Sequence, residues 1–207
     1  MGDSLGDRMK MFETISRTRL VRRIPALIRL DGKPFHSFTK QFERPYDVRF
    51  HAAMWGAAQY LCENIQGCRL AYVQSDEITL LLTDWDSYKT DAWFDYQVQK
   101  MTSVAASLCT GGFVRALAKM PPGFDLLTNK TPAFDARVWN LPRHEVTNCL
   151  IWRQQDASRN SLDLSGDHVL RGLPGTGRRS NPFLPVANWA HRSGFRCFRV
   201  DLLHLLP

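Results

Sequence analysis

No apolar run in the 207 residues approaches the roughly 18 needed for a membrane-spanning helix, which argues against a helical span. The opening MGDSLGDRMKMFE lacks the apolar stretch of a secretory signal, so the expected compartment is the cytoplasm. The five cysteines, Cys62, Cys68, Cys109, Cys149 and Cys197, are odd in number and include no CxxC pair. That leaves a disulfide framework and a zinc site without support, and buried free thiols are the expectation. Neither GxxxxGK[ST] nor GxGxxG occurs, which removes P-loop and Rossmann readings. There is no internal repeat. Residues 163–207 contain no lysine and no glutamate, against six arginines and five glycines, a sharp change of composition.

What is present reads as a globular chain long enough for one sizeable core, with 44% hydrophobic and 23% charged residues. The formal charge of +7 suits a polyanionic partner such as nucleic acid, although a solvated basic face has the same composition.

The run IPALIRL at 24–30 is short, branched and apolar, and predicts a buried strand that stops at Asp31-Gly32. GKPFHSFTKQFERPYD has no clear period and predicts a long loop. Asp47 caps a helix in which Phe50, Met54, Ala57, Leu61 and Ile65 recur at helical spacing before Gly67 ends it. CRLAYVQ and EITLLLT then form a hairpin with an acidic tip at Ser75-Asp76. A second helix is expected over 92–108, broken by Gly111-Gly112. AFDARVW predicts a further strand, and HEVTNCLIWRQQDASRN a third helix. This order predicts an α+β fold with helices on one face of a mainly antiparallel sheet.

Asp31 and Asp76 each stand where an apolar strand stops, with Glu77 beside the second. Carboxylates at adjoining strand ends can converge, and hard oxygen donors of that kind suit Mg²⁺. Two such ions could clamp the attacking and leaving oxygens of a phosphoryl displacement. The same residues are also ordinary turn-formers, and spacing alone leaves both readings open. DGKPFHSFTK after the first strand sets Lys33, His36 and Lys40 among aromatic rings. It could cradle a triphosphate through backbone N–H groups and cations, with a ring against the base. His36 could equally be an ordinary hydrogen-bonding partner.

Four ordered strings, RLDGKPFHSFTKQFERPYD, YVQSDEITLLL, FDARV and WRQQDASRNSL, together resemble the tRNA-His guanylyltransferase family, from about residue 3 to residue 162. ASRNSL stands where the eukaryotic branch carries an HINNLY-type string, so the chain resembles the bacterial, archaeal and phage guanylyltransferase-like branch. The resemblance implies a palm-like, ferredoxin-like catalytic domain over residues 1–162 that extends RNA in the 3′-to-5′ direction. It assigns two Mg²⁺ ions to Asp31, the carbonyl of Gly32 and Asp76, with Glu77 as a supporting catalytic carboxylate. GTP and ATP as substrates would be met by Asp31, Gly32, Lys33, Pro34, Phe35, His36, Ser75 and Asp76. Lys33 replaces the family's arginine there, and Arg44 stands where lysine is common. Lys40, Arg44, Arg153, Arg159 and Asn160 are the expected phosphate or tRNA contacts. The third helix is alternatively a solvated face with Trp152 packed inside.

The implied function is nucleotide addition, guanosine in particular, to the 5′ end of tRNA, in tRNA-His maturation or in repair of truncated ends. A homotetramer is implied as well. A catalytically inert tRNA-binding module with the same fold is the alternative. A nucleotide cyclase shares palm-like carboxylates, but the family strings speak against it. The family's FSHKEL-like and WND-like strings are missing after Leu162, which separates residues 163–207 as a divergent tail of the kind a frameshift or truncation produces.

Overall fold

Strand β1, Ala26–Lys33, is the axis of the sheet. The computed structural model describes residues 4–33, 35–43, 47–120, 131–171 and 197–199. β1 pairs antiparallel on one side with β3, Glu77–Leu82, and on the other with β4, Ala133–Asn140. The hairpin partner of β3 is β2, Cys68–Gln74, and the three-residue β5, Cys197–Arg199, pairs with the far edge of β2. The sheet order is β4-β1-β3-β2-β5.

Period-two alternation divides the sheet into two unlike faces. Ala26, Ile28, Leu30, Ile78, Leu80, Leu82, Ala71 and Val73 point into the main core. That core is roofed by α3, Val48–Asn64, and α4, Val98–Leu117. Asp47 caps α3 as expected, accepting the Arg49 N–H at 2.8 Å, and the Arg49 side chain beside it holds its carboxyl well below the usual carboxylate range.

α4 differs from expectation at both ends. It begins at Val98, because Trp93–Tyr96 form a 3₁₀ turn with Phe94 and Asp95 in left-handed backbone and Trp93 and Tyr96 buried. It also runs straight through Gly111-Gly112. A Cβ on Gly112 would stand 3.0 Å from the Tyr60 side chain, so this glycine sets the close approach of α4 to α3. Tertiary packing outweighs the roughly 1 kcal/mol that a mid-helix glycine costs.

The expected loop after Asp31 is also partly regular. Phe35–Phe38 form a short helix, α2, continued by a 3₁₀ turn over Thr39–Gln41. An N-terminal helix that the sequence pattern had not suggested, α1, spans Leu5–Ile15. Ser4 caps it, its Oγ accepting the Asp7 N–H at 3.1 Å, and none of its residues is buried.

The third long helix, α5, spans Val146–Arg171 and lies on the face opposite α3 and α4. Val146, Cys149 and Leu150 pack there on Leu27, Leu70 and Leu81. α5 passes without a break through the division expected at residue 162. Of the expected tail, residues 172–196 and 200–207 lie outside the described residues. No helix among the described residues is long and apolar enough to cross a membrane.

Candidate nucleotidyl-transfer site

The strand registers lay the second sheet face out in three cross-strand rows. Asp135, Asp31, Glu77 and Gln74 are successive partners across β4, β1, β3 and β2. Two residues along come Arg137, Arg29, Thr79 and Tyr72, and after them Trp139, Leu27, Leu81 and Leu70. An acidic row, a basic row and an apolar row thus follow from side chains repeating every second residue. α5 starts on the apolar row and runs toward the acidic one, where Arg153 meets Glu77.

Asp31 is the last β1 residue paired with β3, while the strand continues along β4 to Lys33. Asp76 sits in the two-residue turn between β2 and β3, with Ser75 in left-handed backbone at φ 48°. The Gly32 N–H donates to the Asp76 carbonyl at 3.2 Å and ties the turn to the end of β1. Burial pushes the Asp76 carboxyl up from its ordinary value, and the charge of Asp31 pushes it the same way. The turn's backbone N–H and the Ser75 side chain oppose them. Two carboxylates that repel each other form a hard-oxygen donor pair whose repulsion a divalent cation would relieve. On that observation the residues fit Mg²⁺.

Gly32 has a second, steric role. A Cβ there would lie 2.3 Å from the Phe35 ring. Phe35 is 2% exposed, with ring centroids of Phe134, Phe38 and Phe113 at 4.9, 5.3 and 5.5 Å. Neither Phe35 nor Phe38, the phenylalanine rings of DGKPFHSFTK, is exposed, so the aromatic ring expected there against a base is corrected, and Phe35 leaves only its backbone for a ligand. Burying a phenylalanine stabilises by about 1.5–3 kcal/mol and each aromatic pair adds about 0.5–1.5, more in total than one stacked base returns. Gly32→Ala is expected to cost about 1–3 kcal/mol through the displaced ring, seen as a lower thermal midpoint.

Other expected site residues fall differently. Lys33 ion-pairs with Asp135 at 2.9 Å, so its charge is already shared with a carboxylate. Glu77 takes a bidentate grip from Arg153, at 2.8 and 3.0 Å, with Arg29 at 4.0 Å on its other side. Burial raises its carboxyl above the ordinary value and the two arginines oppose the rise. Arg153 is itself buried and also bonds Asp156 at 2.9 Å, so it is a poor phosphate contact. His36 and Lys40 are exposed, as is Arg159, which reaches Asp156 at 3.4 Å. Pro34 and Arg44 lie outside the described residues, as does the side chain of Asn160.

Asp135, Arg29 and Arg137 were not singled out by sequence reasoning. The signal was available in FDARVW and IRLD, where charged residues alternate with apolar ones inside strands. Trp152 is not interior: it is 48% exposed, with the Arg153 guanidinium 4.5 Å from its ring centroid. Together with Trp139, Arg29 and Arg137 it lines a cavity of about 490 Å³ over the basic and apolar rows. No cluster of three or more His, Cys, Asp or Glu suited to a metal occurs among the described residues.

An antiparallel sheet with α3 and α4 over one face, and with α5 and paired strand-end carboxylates on the other rather than all helices on one face as expected, places the chain in the palm-like α+β class. The family model for tRNAHis guanylyltransferase matches residues 6–142. A bacterial tRNA(His) guanylyltransferase-like protein solved in complex with GTP is 41% identical, with a TM-score of 0.75 over 83% of this chain and 80% of that one. Such a protein in complex with ATP gives 42% identity and a TM-score of 0.73, over 78% and 69%. The tRNA(His) guanylyltransferase of Schizosaccharomyces pombe is 33% identical over 78% of this chain, which spans 59% of that enzyme's length. The chain belongs to the tRNAHis guanylyltransferase family.

Proposed function

We propose that the chain is a nucleotidyltransferase that adds nucleotides, guanosine among them, to the 5′ end of tRNA in the 3′-to-5′ direction. The observation that carries this reading is the convergence of Asp31 and Asp76 at the end of β1, bridged by the Gly32 N–H. The guanylyltransferase-like proteins solved with ATP and with GTP support nucleoside triphosphates as substrates.

In this reading Asp31, the Gly32 carbonyl and Asp76 would hold Mg²⁺. Two bound ions would neutralise charge on the phosphoryl oxygens and lower the pKa of the attacking hydroxyl. ATP activates the tRNA 5′-monophosphate, the 3′-hydroxyl of the incoming nucleotide displaces AMP, and pyrophosphate is then removed. Arg29 and Arg137 supply positive charge beside the carboxylates, drawing RNA phosphates toward them, and the Trp139 and Trp152 rings offer a stacking surface. The backbone of residues 31–36, with Ser75, positions the triphosphate, and exposed Lys40 and Arg159 add phosphate contacts.

The test is incubation with 5′-truncated tRNA, full-length tRNA-His, ATP, Mg²⁺ and labelled nucleotides. Extension is expected, with truncated tRNA preferred in keeping with the branch assignment. tRNA binding without extension would instead favour the inert module.

A homotetramer in the cytoplasm completes the proposal. Leu5, Met9, Phe12 and Ile15 of α1 are 47–76% exposed, an apolar surface that assembly would cover. Phe12→Asp is expected to lower the mass measured by sedimentation to that of smaller species, and an unchanged mass would remove α1 from the interface.

A further inference from the structure

Cys62, in the last turn of α3, and Cys68, at the start of β2, bring their Sγ atoms to 3.6 Å although they stand six positions apart. The connecting turn is held at several points. The Ile65 N–H donates to the Leu61 carbonyl at 2.9 Å and the Cys68 N–H to the Ile65 carbonyl at 3.2 Å. Gly67 has a φ of 78°, and its carbonyl accepts the Thr83 N–H at 2.9 Å. A Cβ on Gly67 would lie 2.5 Å from the Thr83 carbonyl oxygen, so the turn depends on this glycine. The thiols are thus juxtaposed by a helix end, a strand start and a fixed turn. The sequence hides the pair, since its spacing matches no familiar dithiol motif.

Their environments are unequal. Cys62 is half-buried and Cys68 buried. Cys68 donates its S–H toward Cys62, which favours the Cys62 thiolate and lowers its pKa, while burial and then nearby Glu63 oppose. The same hydrogen bond and burial raise Cys68, opposed by its contact with the Leu70 backbone, whose carbonyl lies 3.8 Å from the sulfur, and then by Arg69. A more accessible, thiolate-favoured sulfur beside a buried thiol is the arrangement of an attacking and a resolving cysteine.

We propose that Cys62 and Cys68 form a peroxide-responsive dithiol that closes reversibly to an intramolecular disulfide. The Cys62 thiolate attacks one oxygen of hydrogen peroxide, breaking the O–O bond to give a sulfenic acid and hydroxide. That hydroxide takes the Cys68 proton. The Cys68 sulfur then attacks the Cys62 sulfur and displaces its hydroxyl, which leaves as water after protonation. In sum, two thiols give up two electrons and two protons to one peroxide, yielding one disulfide and two waters. Closing the sulfurs to the bonded separation of about 2 Å requires side-chain rotation within the turn. The product staples α3 to β2, beside the β3 strand that follows Asp76.

The experiment exposes the native full-length chain to graded hydrogen peroxide, quenches with catalase, alkylates the remaining thiols and maps peptides by mass spectrometry. Exposed Met11, which lies off the α1 face proposed for assembly, reports the dose through sulfoxide formation. The expected result is joint loss of alkylation at Cys62 and Cys68, a linked peptide two hydrogen masses lighter, full recovery with dithiothreitol and a thermal midpoint raised by several degrees. Cys68→Ser should accumulate sulfenic acid at Cys62, captured by a cyclic dione, and Cys62→Ser should leave Cys68 alkylatable. The proposal is overturned if both cysteines stay alkylatable at doses that oxidise Met11. It is equally overturned if pairing goes to Cys109 or Cys149, or if the disulfide forms as readily in urea-unfolded chain.

Discussion

Asp76→Ala is expected to lower 5′-nucleotide addition by about 10³-fold, at the upper end of what losing one electrostatic stabiliser costs, while the thermal midpoint holds or rises slightly. The two outcomes share one cause. The Asp76 carboxyl is raised by burial and by the charge of Asp31, so the folded chain disfavours its ionised form. Removing it relieves a repulsion that only a bound cation would otherwise offset. The substitution leaves the backbone link from the Gly32 N–H to the residue-76 carbonyl in place, so the turn is retained. Asp31→Ala should behave in the same direction. Labelled-nucleotide extension and a melt followed by circular dichroism check the pair. Extension persisting in both variants would remove these carboxylates from the site, and a collapsed melt would mark Asp76 as structural.

Arg153→Met should do the opposite, damaging the fold first. Arg153 covers Glu77 with two hydrogen bonds, and both groups are largely shielded, at 8% and 13% side-chain exposure. An exposed ion pair contributes about 0–1 kcal/mol, whereas stripping one partner from a buried pair costs about 3–5. Here the cost sits toward the lower part of that range, because Arg29 remains at 4.0 Å. Replacing Glu77 by Gln at the same time should recover much of the loss, since no uncompensated charge is then buried.

The pH dependence has a definite sign. Glu77 is raised in the folded state, so its protonated form is favoured there relative to the unfolded chain. Folding is therefore least penalised at acidic pH and loses stability as pH rises from the ordinary glutamate value through the raised one. Without Arg153 the rise grows. Arg153→Met should fall further below the parent as pH increases through that window, and the gap should narrow in acid. A pH series of urea midpoints reads this directly. A gap independent of pH would mean that the variant loses packing against Trp152 rather than charge.

Several features were legible because they depend on neighbours in the chain. The strand at Ala26–Leu30, the Asp47-capped helix, the hairpin tip at Ser75-Asp76 and the further strand at Ala133–Asn140 follow from short-range periodicity and turn chemistry. The four ordered strings carried the family. The failures are contacts between distant residues. Gly111-Gly112 looks like a helix breaker until Tyr60 of α3 is seen to need the space. Phe35 looks available to a ligand until Phe113 and Phe134 close around it.

By itself, then, the sequence determined the α+β class and the order of the longer helices and strands, and it marked Asp31, Gly32 and Asp76 as the proposed focus of the site. Local periodicity and turn propensity act within a few residues. Only the tertiary structure decided that Asp135 joins the acidic row, that Glu77 and Arg153 neutralise one another, and that Cys62 faces Cys68. Those pairings arise from strand register and helix packing, which depend on side chains far apart in the chain meeting across one face.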